Sequence, residues 1–281
     1  MVGRSNLPAG YRRALITGAT SGIGAAFAEG MARETALVLT GRRQERLDAA
    51  AARLARDGRE VETIAADLST PEGCRSVAER ALGDGIDLLI CNAGVGFAGR
   101  FADTPLALQS ATIAVNVTAT AQLLHLLLPD MIARARQAKR RCGVIILSST
   151  AAFGPRPGMG CYAATKAFGL MLGEALATEL RREPIDILVL CPTHTATEFF
   201  DQAGLPPPEA AMSAAQVARE GMAALGRRAI HLCGRKHQWL HRLLAFNPAL
   251  ASLVQPWRSR RPRLSAAGLI AAPQELGARR G

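Results

Sequence analysis

Tyr162 and Lys166 stand four positions apart in "YAATK", a stretch of helix-forming composition. On a helix that spacing puts both side chains on one face, about one turn apart. A phenol with an ordinary pKa of about 10 moves protons poorly at neutral pH. A neighbouring ammonium favours the phenolate and is expected to pull that value toward the working range, which is acid-base chemistry at a single hydroxyl. An isolated pair of this kind reads more simply as a half-buried tyrosine beside a solvated lysine. Here the chain has only two tyrosines and three lysines, and the pair follows an apolar run that ends in Ser148 and Ser149.

A second feature lies near the start, where "TGATSGIG" at 17–24 follows the apolar "ALI" directly. In a strand-turn-helix unit, Gly18 lets the chain leave the strand, Gly22 removes a side chain where a diphosphate would sit, and Gly24 permits close packing of helix on sheet. The helix that follows offers free N–H groups and a positive dipole end to an anion. A glycine-rich turn alone is weak evidence, and the spacing here is T-G-x-x-x-G-x-G rather than G-x-G-x-x-G.

Such residues need rigid elements to bring them together. Apolar runs begin at 14, 36, 60, 86, 143, 185 and 229, and the strongest are apolar on both faces, as parallel strands covered by helices on each side must be. Helix-like stretches between them are predicted at Gly22 to Arg33, Gln44 to Asp57, Pro71 to Leu82, Pro105 to about Lys139, Gly160 to Arg182 and Ser213 to Leu225. Strict alternation predicts an α/β fold, a Rossmann-type doubly wound parallel sheet, as one domain over 12–234. The proline-rich 204–213 reads as a loop over the carboxyl edge of the sheet, where such folds bind ligands. An extension at 235–281 is expected to hold one amphipathic helix, "RKHQWLHRLLAF", and then a loosely ordered basic tail.

The chain resembles the short-chain dehydrogenase/reductase family. The match runs in order through "TGATSGIG" at 17, "AADL" at 65, "CNAG" at 91, "VNV" at 115, "SS" at 148, "YAATK" at 162 and "CPTHTATEF" at 191, some two-thirds of the chain. The resemblance implies a reductase or dehydrogenase in which Tyr162 donates the proton and Lys166 lowers its pKa and grips the nicotinamide ribose. It implies that Ser149 steadies the substrate oxygen, whereas Ser148 points the other way by alternation. Asn116 would hold a local break in the long helix and a water that relays protons to the lysine. Thr17, Gly18, Ser21, Gly22, Ile23 and Gly24 would cradle the cofactor's diphosphate. Asp67 and Leu68 would meet the adenine, although an aspartate after a strand is also a routine helix cap. Asn92, Ala93 and Gly94 would pack against the adenosine, and Pro192, Thr195 and Thr197 would lie near the nicotinamide.

Folds of this kind that prefer NAD place an acid at the end of the second strand for the ribose 2′-hydroxyl, whereas an arginine accommodates a 2′-phosphate. Here the strand ends "LVLTGRR", with Arg42 and Arg43 where a carboxylate would stand, so NADP(H) is the expected cofactor. The simpler reading is that both arginines only begin a solvated helix. The segment after the sixth strand departs from the family: Thr193 replaces the usual glycine, so that loop is expected to sit differently over the nicotinamide. His194 reads as a solvent-facing loop residue more readily than as a substrate contact. His231, Cys233, His237 and His241 lack a further ligand at firm spacing and read as structural, so no metal is expected.

The formal charge of +11 is compatible with nucleic acid or an anionic membrane surface. Nine basic residues and no acidic one lie between Arg227 and Arg263, however, and the rest of the chain is nearly balanced. With aromatics at 4%, stacking platforms for single strands are scarce, so no nucleic-acid partner is expected. Docking of the C-terminal helix on anionic lipid is a weaker reading than a helix packed on the domain or at a subunit contact. The N-terminus shows no apolar h-region, no uninterrupted apolar run reaches bilayer length, and the six cysteines have no C-x-x-C spacing, so a cytoplasmic setting is expected.

Members of the resembled family commonly assemble as dimers or tetramers, and the extension could cover such a surface, so a homo-oligomer stays open. The expected partner is a small carbonyl or alcohol compound. Phe97, Phe153, Met159, Phe199 and Phe200 are available to contact it from 94–101, 153–161 and 198–212, which points to an apolar or lipid-like substrate. The rival is a binding or regulatory module that keeps the fold without turnover.

Overall fold

Runs apolar on both faces become interior parallel strands because a residue pointing to either side must be buried. The computed structural model describes residues 10–55, 58–206, 208 and 210–234. Its strands are β1 (Arg13–Thr17), β2 (Ala36–Gly41), β3 (Val61–Ala65), β4 (Leu88–Cys91), β5 (Cys142–Leu147), β6 (Ile185–Cys191), β7 (Thr195–Ala196), β8 (Met212–Ser213) and β9 (Ile230–Leu232). Seven of them form one parallel sheet in the order β3-β2-β1-β4-β5-β6-β9, the doubly wound arrangement expected, while β7 and β8 make a small separate ribbon.

The helices are α1 (Gly22–Gly30), α2 (Gln44–Leu54), α3 (Pro71–Asp84), α4 (Leu106–Ile113), α5 (Thr120–Ala138), α6 (Gly160–Glu179), α7 (Phe199–Gln202) and α8 (Ala214–Ala224). Period-two alternation sends Ile16, Leu39 and Ile90 to one face of the sheet, where Phe27, Leu47 and Val217 of α1, α2 and α8 cover them. Leu15, Val38 and Leu89 point to the other face, under Val77 of α3 and Leu123 and Leu127 of α5. Burying these side chains from both sides contributes roughly 1.5–3 kcal/mol each before entropy is counted.

Several element ends differ from the sequence reading. Helix α3 runs past Leu82 to Asp84, because Gly83 faces open space and it is Gly85, at φ 72°, that takes the left-handed cap. Helix α1 stops at Gly30 and α6 at Glu179, short of Arg33 and Arg182, although Met31 and Leu180 just beyond them still pack on the core. Thr70 rather than Asp67 caps α3, its hydroxyl accepting from the Gly73 N–H at 3.1 Å. The stretch predicted as one helix from Pro105 to Lys139 is α4 and α5 joined by a π-helical segment at Ala114–Ala119. The combined span Leu106–Ala138 is interrupted by polar and charged residues, as expected, yet it is long enough and, over an 18-residue window of mean hydropathy 1.5, apolar enough to cross a bilayer by length and composition. Leu123, Leu124, Leu127, Leu128 and Met131 bury its apolar face in the core, as in the central helix of a globular domain.

Candidate active site

Strand order reverses between β1 and β4, and a crevice opens there at the carboxyl ends of the strands. Its open space of about 350 Å³ suits a small molecule. One end is the turn from β1 into α1. Gly18 at φ 64° and Gly22 at φ 57° adopt the left-handed region, which only glycine enters without strain. A Cβ on Gly24 would lie 2.3 Å from the Gly18 carbonyl oxygen and 2.5 Å from Asn92 Nδ2. Gly24 therefore lets the helix close on its own turn, a different contact from the packing on the sheet expected of it. No side chain caps α1, since the Ser21 hydroxyl makes no cap bond. The first N–H groups of the helix lie at the cleft wall formed by Ser21, Gly22 and Ile23.

Asn92, just past β4, ties this turn down. Its Nδ2 donates to the Thr17 and Gly18 carbonyls at 2.9 and 3.1 Å, and its backbone N–H and that of Ala93 donate to Thr17 Oγ1, both at 2.9 Å. The Asn92 side chain is thus spent on the turn, while Asn92, Ala93 and Gly94 still line the cleft.

Ser149, Tyr162 and Lys166 meet at the other end. The two serines at the end of β5 divide by alternation: Ser148 is buried and donates to the Lys166 carbonyl at 2.7 Å, whereas the Ser149 hydroxyl accepts from the Ala151 N–H at 3.1 Å on the cleft side. Tyr162 and Lys166 share one face of α6, with Nζ 5.7 Å from the centre of the phenol ring. Lys166 is 8% exposed, and its ammonium donates to the Leu147 carbonyl at 2.9 Å.

Asn116 sits in the π-helical segment. Its Oδ1 accepts from the Val95 N–H at 2.9 Å, and its Nδ2 donates to the Val95 carbonyl at 2.8 Å and to Thr165 Oγ1 at 2.9 Å. It thereby fastens the strand extension after β4 to α6. Val95 and Thr165 carry no sequence signal as its partners, because the contacts span 21 and 49 positions.

The electrostatics differ from the expectation at Tyr162. Burial pushes its hydroxyl up to about 12, and the opposing force is a hydrogen bond with Ser149 rather than the lysine. Burial likewise pulls Lys166 down to about 8. Both ionised forms lose hydration in the same wall, and the ammonium's hydrogen bond goes to a backbone carbonyl. The arrangement can hold a protonated phenol beside a charged amine at neutral pH, which suits a proton donor.

At the corner beyond β2, Arg42 and Arg43 line the cleft, and no carboxylate forms an ion pair with either among the described residues. Asp67 and Leu68, just past the neighbouring β3, line the same crevice, and Asp67 Oδ1 accepts from the Ser69 N–H at 2.9 Å. These features fit a nicotinamide dinucleotide: a backbone cradle without side chains, an uncapped helix start, and guanidinium groups open to an anion.

The segment from Pro192 to Leu205 roofs the cleft. Thr193 is accommodated without a positive φ, and its carbonyl accepts from Thr195 Oγ1 at 3.0 Å. The β7–β8 ribbon pins this roof through Thr195 and Met212, a pairing invisible in a stretch read as loop. A Cβ on Gly22 would lie 3.0 Å from the Thr197 methyl, so the roof rests on the glycine turn. Phe199 stacks at a tilt 5.2 Å from Tyr162, and a Cβ on Gly96 would strike Tyr162 at 2.6 Å, a steric need that sequence reading missed. His194 is exposed at the cleft, its ring edge-on to Phe200 at 5.8 Å.

Away from the cleft lining, His231 Nε2 meets Glu220 Oε2 at 3.0 Å, and Cys233 brings its sulfur within 4.8 Å of their donor atoms. Glu220, from α8, is the neighbour that spacing along the chain could not supply. It also accepts from Gln216 and from the Gly234 N–H. His237, His241 and the C-terminal helix and tail lie outside the described residues.

Residues 12–205 match the sequence profile described as short chain dehydrogenase. The chain is 35% identical over 192 residues to human dehydrogenase/reductase SDR family member 2, mitochondrial, a match spanning 67% of this chain and 66% of that one. It is 34% identical over 197 residues to dehydrogenase/reductase SDR family member 4 of Bos taurus, spanning 68% of each. The chain thus spans about two thirds of the length of these relatives. A short-chain dehydrogenase from Sphingobium yanoikuyae in complex with NADPH superposes with a TM-score of 0.73 at 31% identity, covering 89% of this chain and 99% of that one. A short chain dehydrogenase/reductase from Burkholderia phymatum in complex with NAD gives 0.76 at 26% identity, covering 86% and 95%.

Proposed function

This chain belongs to the short-chain dehydrogenase family of oxidoreductases, and from that premise we propose that it moves a hydride between NADP(H) and a carbonyl or secondary alcohol of a largely apolar small molecule. The observation that carries the proposal is that Ser149, Tyr162 and Lys166 lie in the wall of the same crevice that continues into the bare Gly18–Gly24 turn. When bound, the nicotinamide supplies or takes the hydride. The rest falls to the chain's own residues.

Tyr162, protonated at neutral pH, gives its proton to the substrate oxygen in the reducing direction. Ser149 donates a hydrogen bond to that oxygen and holds it toward the phenol. Lys166 holds the nicotinamide ribose and places positive charge beside the phenolate left after transfer. Asn116 acts as a positioning residue, setting the edge after β4 against α6. Gly18, Ser21, Gly22 and Ile23, which line the cleft, would hold the diphosphate, whereas Thr17 and Gly24, expected to touch it, are buried behind the turn and shape it instead. Asp67, Leu68, Asn92, Ala93 and Gly94 border the adenosine, and Pro192, Thr195 and Thr197 border the nicotinamide. Arg42 and Arg43 favour NADP(H) over NAD(H), supported by their open guanidinium groups and by the missing carboxylate at the end of β2. Phe199, Phe200, Met159 and Leu205 give the substrate side an apolar lining.

NADPH consumption with a panel of ketones and aldehydes tests the proposal. Tyr162→Phe is expected to lower turnover by roughly 10²–10⁴-fold while cofactor affinity changes little. Cofactor binding without any turnover, indifferent to that substitution, would instead mark a binding module.

A further inference from the structure

We infer that Arg156 makes this enzyme selective for carbonyl compounds that carry a carboxylate. The inference rests on the reductase reading above and adds a substrate class to it. Arg156 lies between Ser149 and Tyr162 in sequence and lines the cleft beside Met159. Its backbone is held on several sides. Pro155 has a fixed φ, and Pro157 restricts the residue before it to extended conformations. The Arg156 carbonyl accepts from the Met159 N–H at 2.9 Å, and the neighbouring Gly158 carbonyl accepts from the Gly99 N–H at 2.8 Å.

The side chain, by contrast, is exposed and forms no hydrogen bond or ion pair with any described residue. The other charges of the cleft are either committed or placed elsewhere. Glu198 pairs with Arg46 at 2.9 Å, and Lys166 is bound to the Leu147 carbonyl. Arg42, Arg43 and Asp67 stand at the corner beyond β2. On the substrate side this leaves, among the described residues, one guanidinium without a counter-charge, against walls made of Val95, Met159, Phe199, Phe200 and Leu205.

A neutral apolar ligand seated there strips water from the guanidinium and returns nothing for it. A ligand that carries a carboxylate returns a charge-assisted, bidentate contact, for which the planar fork is shaped. The carboxylate serves as a handle and takes no part in bond changes: the hydride still adds to the carbonyl carbon and the proton to its oxygen.

The test compares aliphatic keto acids of graded chain length with their methyl esters, in wild type, Arg156→Met and Arg156→Lys. The acid is expected to exceed its ester by about tenfold in kcat/KM, mainly through KM, as one partly exposed charged contact allows. The ratio falls to near parity in Arg156→Met, is partly kept in Arg156→Lys, and shrinks as salt is raised. Parity in wild type, or a preference that survives Arg156→Met, overturns the inference. If the esters are reduced in a Tyr162-dependent way while the acids gain nothing, the reductase reading stands and the anion inference falls. If neither series is reduced, the reductase reading fails instead. Calorimetric titration of the NADPH-saturated protein with the keto acids then decides the anion question separately, and equal affinities in wild type and Arg156→Met overturn it.

Discussion

A phenol and an ammonium set into one wall of a cleft both lose hydration, and at Tyr162 and Lys166 that loss sets the direction of both shifts. The hydroxyl rises to about 12 and the amine falls to about 8. The sign of each shift sets a direction of catalysis. With its pKa raised, Tyr162 keeps its proton throughout the neutral range and is ready to donate; with its pKa lowered, Lys166 is charged below about pH 8 and neutral above. Carbonyl reduction is therefore expected to decline as pH rises through about 8, where Lys166 loses its charge. Alcohol oxidation, which needs the phenolate, is expected to climb across the accessible alkaline range without levelling. Profiles of kcat/KM against pH in both directions check this, and a reduction rate indifferent to pH through the Lys166 transition contradicts it. At this scale the sequence was informative about which residues gather. Helical spacing joined Tyr162 to Lys166, and strand alternation separated Ser148 from Ser149. The balance between attraction and desolvation was not legible, because burial depends on what covers the site.

Elements decide how those side chains are presented. The corner between β2 and α2 was readable from residue types, since no carboxylate follows the strand and two arginines do. Replacing both Arg42 and Arg43 by alanine is expected to lower the preference for NADPH over NADH by roughly ten- to a hundredfold in kcat/KM, mostly through the cofactor's KM. Steady-state kinetics with each cofactor measures it, and an unchanged ratio would place the choice elsewhere. The helix from Pro105 to Lys139 shows the opposite case. Its composition supports one continuous helix; by residue type Asn116 gave only the hint of a mediocre helix former in its middle, and the break there was what the family resemblance implied. In the π-helical segment Asn116 reaches Val95 and Thr165 at once, and neither partner is local.

Across the whole molecule, the roof that begins at Pro192 is joined to α2 by the Arg46–Glu198 ion pair, between residues 152 positions apart. The pair is exposed on both sides, so it contributes little to folding. From its place between the roof and the helix that follows the Arg42–Arg43 corner, the pair is expected to act on cofactor binding rather than on folding. Arg46→Ala is expected to shift Tm by no more than about 2 °C while raising the KM for NADPH several-fold. Thermal melts together with cofactor titrations test this, and a large Tm loss with unchanged KM would make the pair a structural brace.

The chain's own pattern determined the layered parallel sheet, the glycine turn at its first crossover, and the pairing of Tyr162 with Lys166 on one helix face, while the place of Ser149 beside them was what the family resemblance implied. The first three follow from local rules: both-face apolarity, conformations open only to glycine, and helical periodicity. Tertiary structure alone decided that burial sets the direction of the shift at Tyr162, that Asn116 and Asn92 spend their amides on distant backbone, that Glu220 joins His231 and Cys233, and that the roof rests on Gly22. Those outcomes depend on contacts between residues far apart in the chain, and such contacts follow from how elements pack.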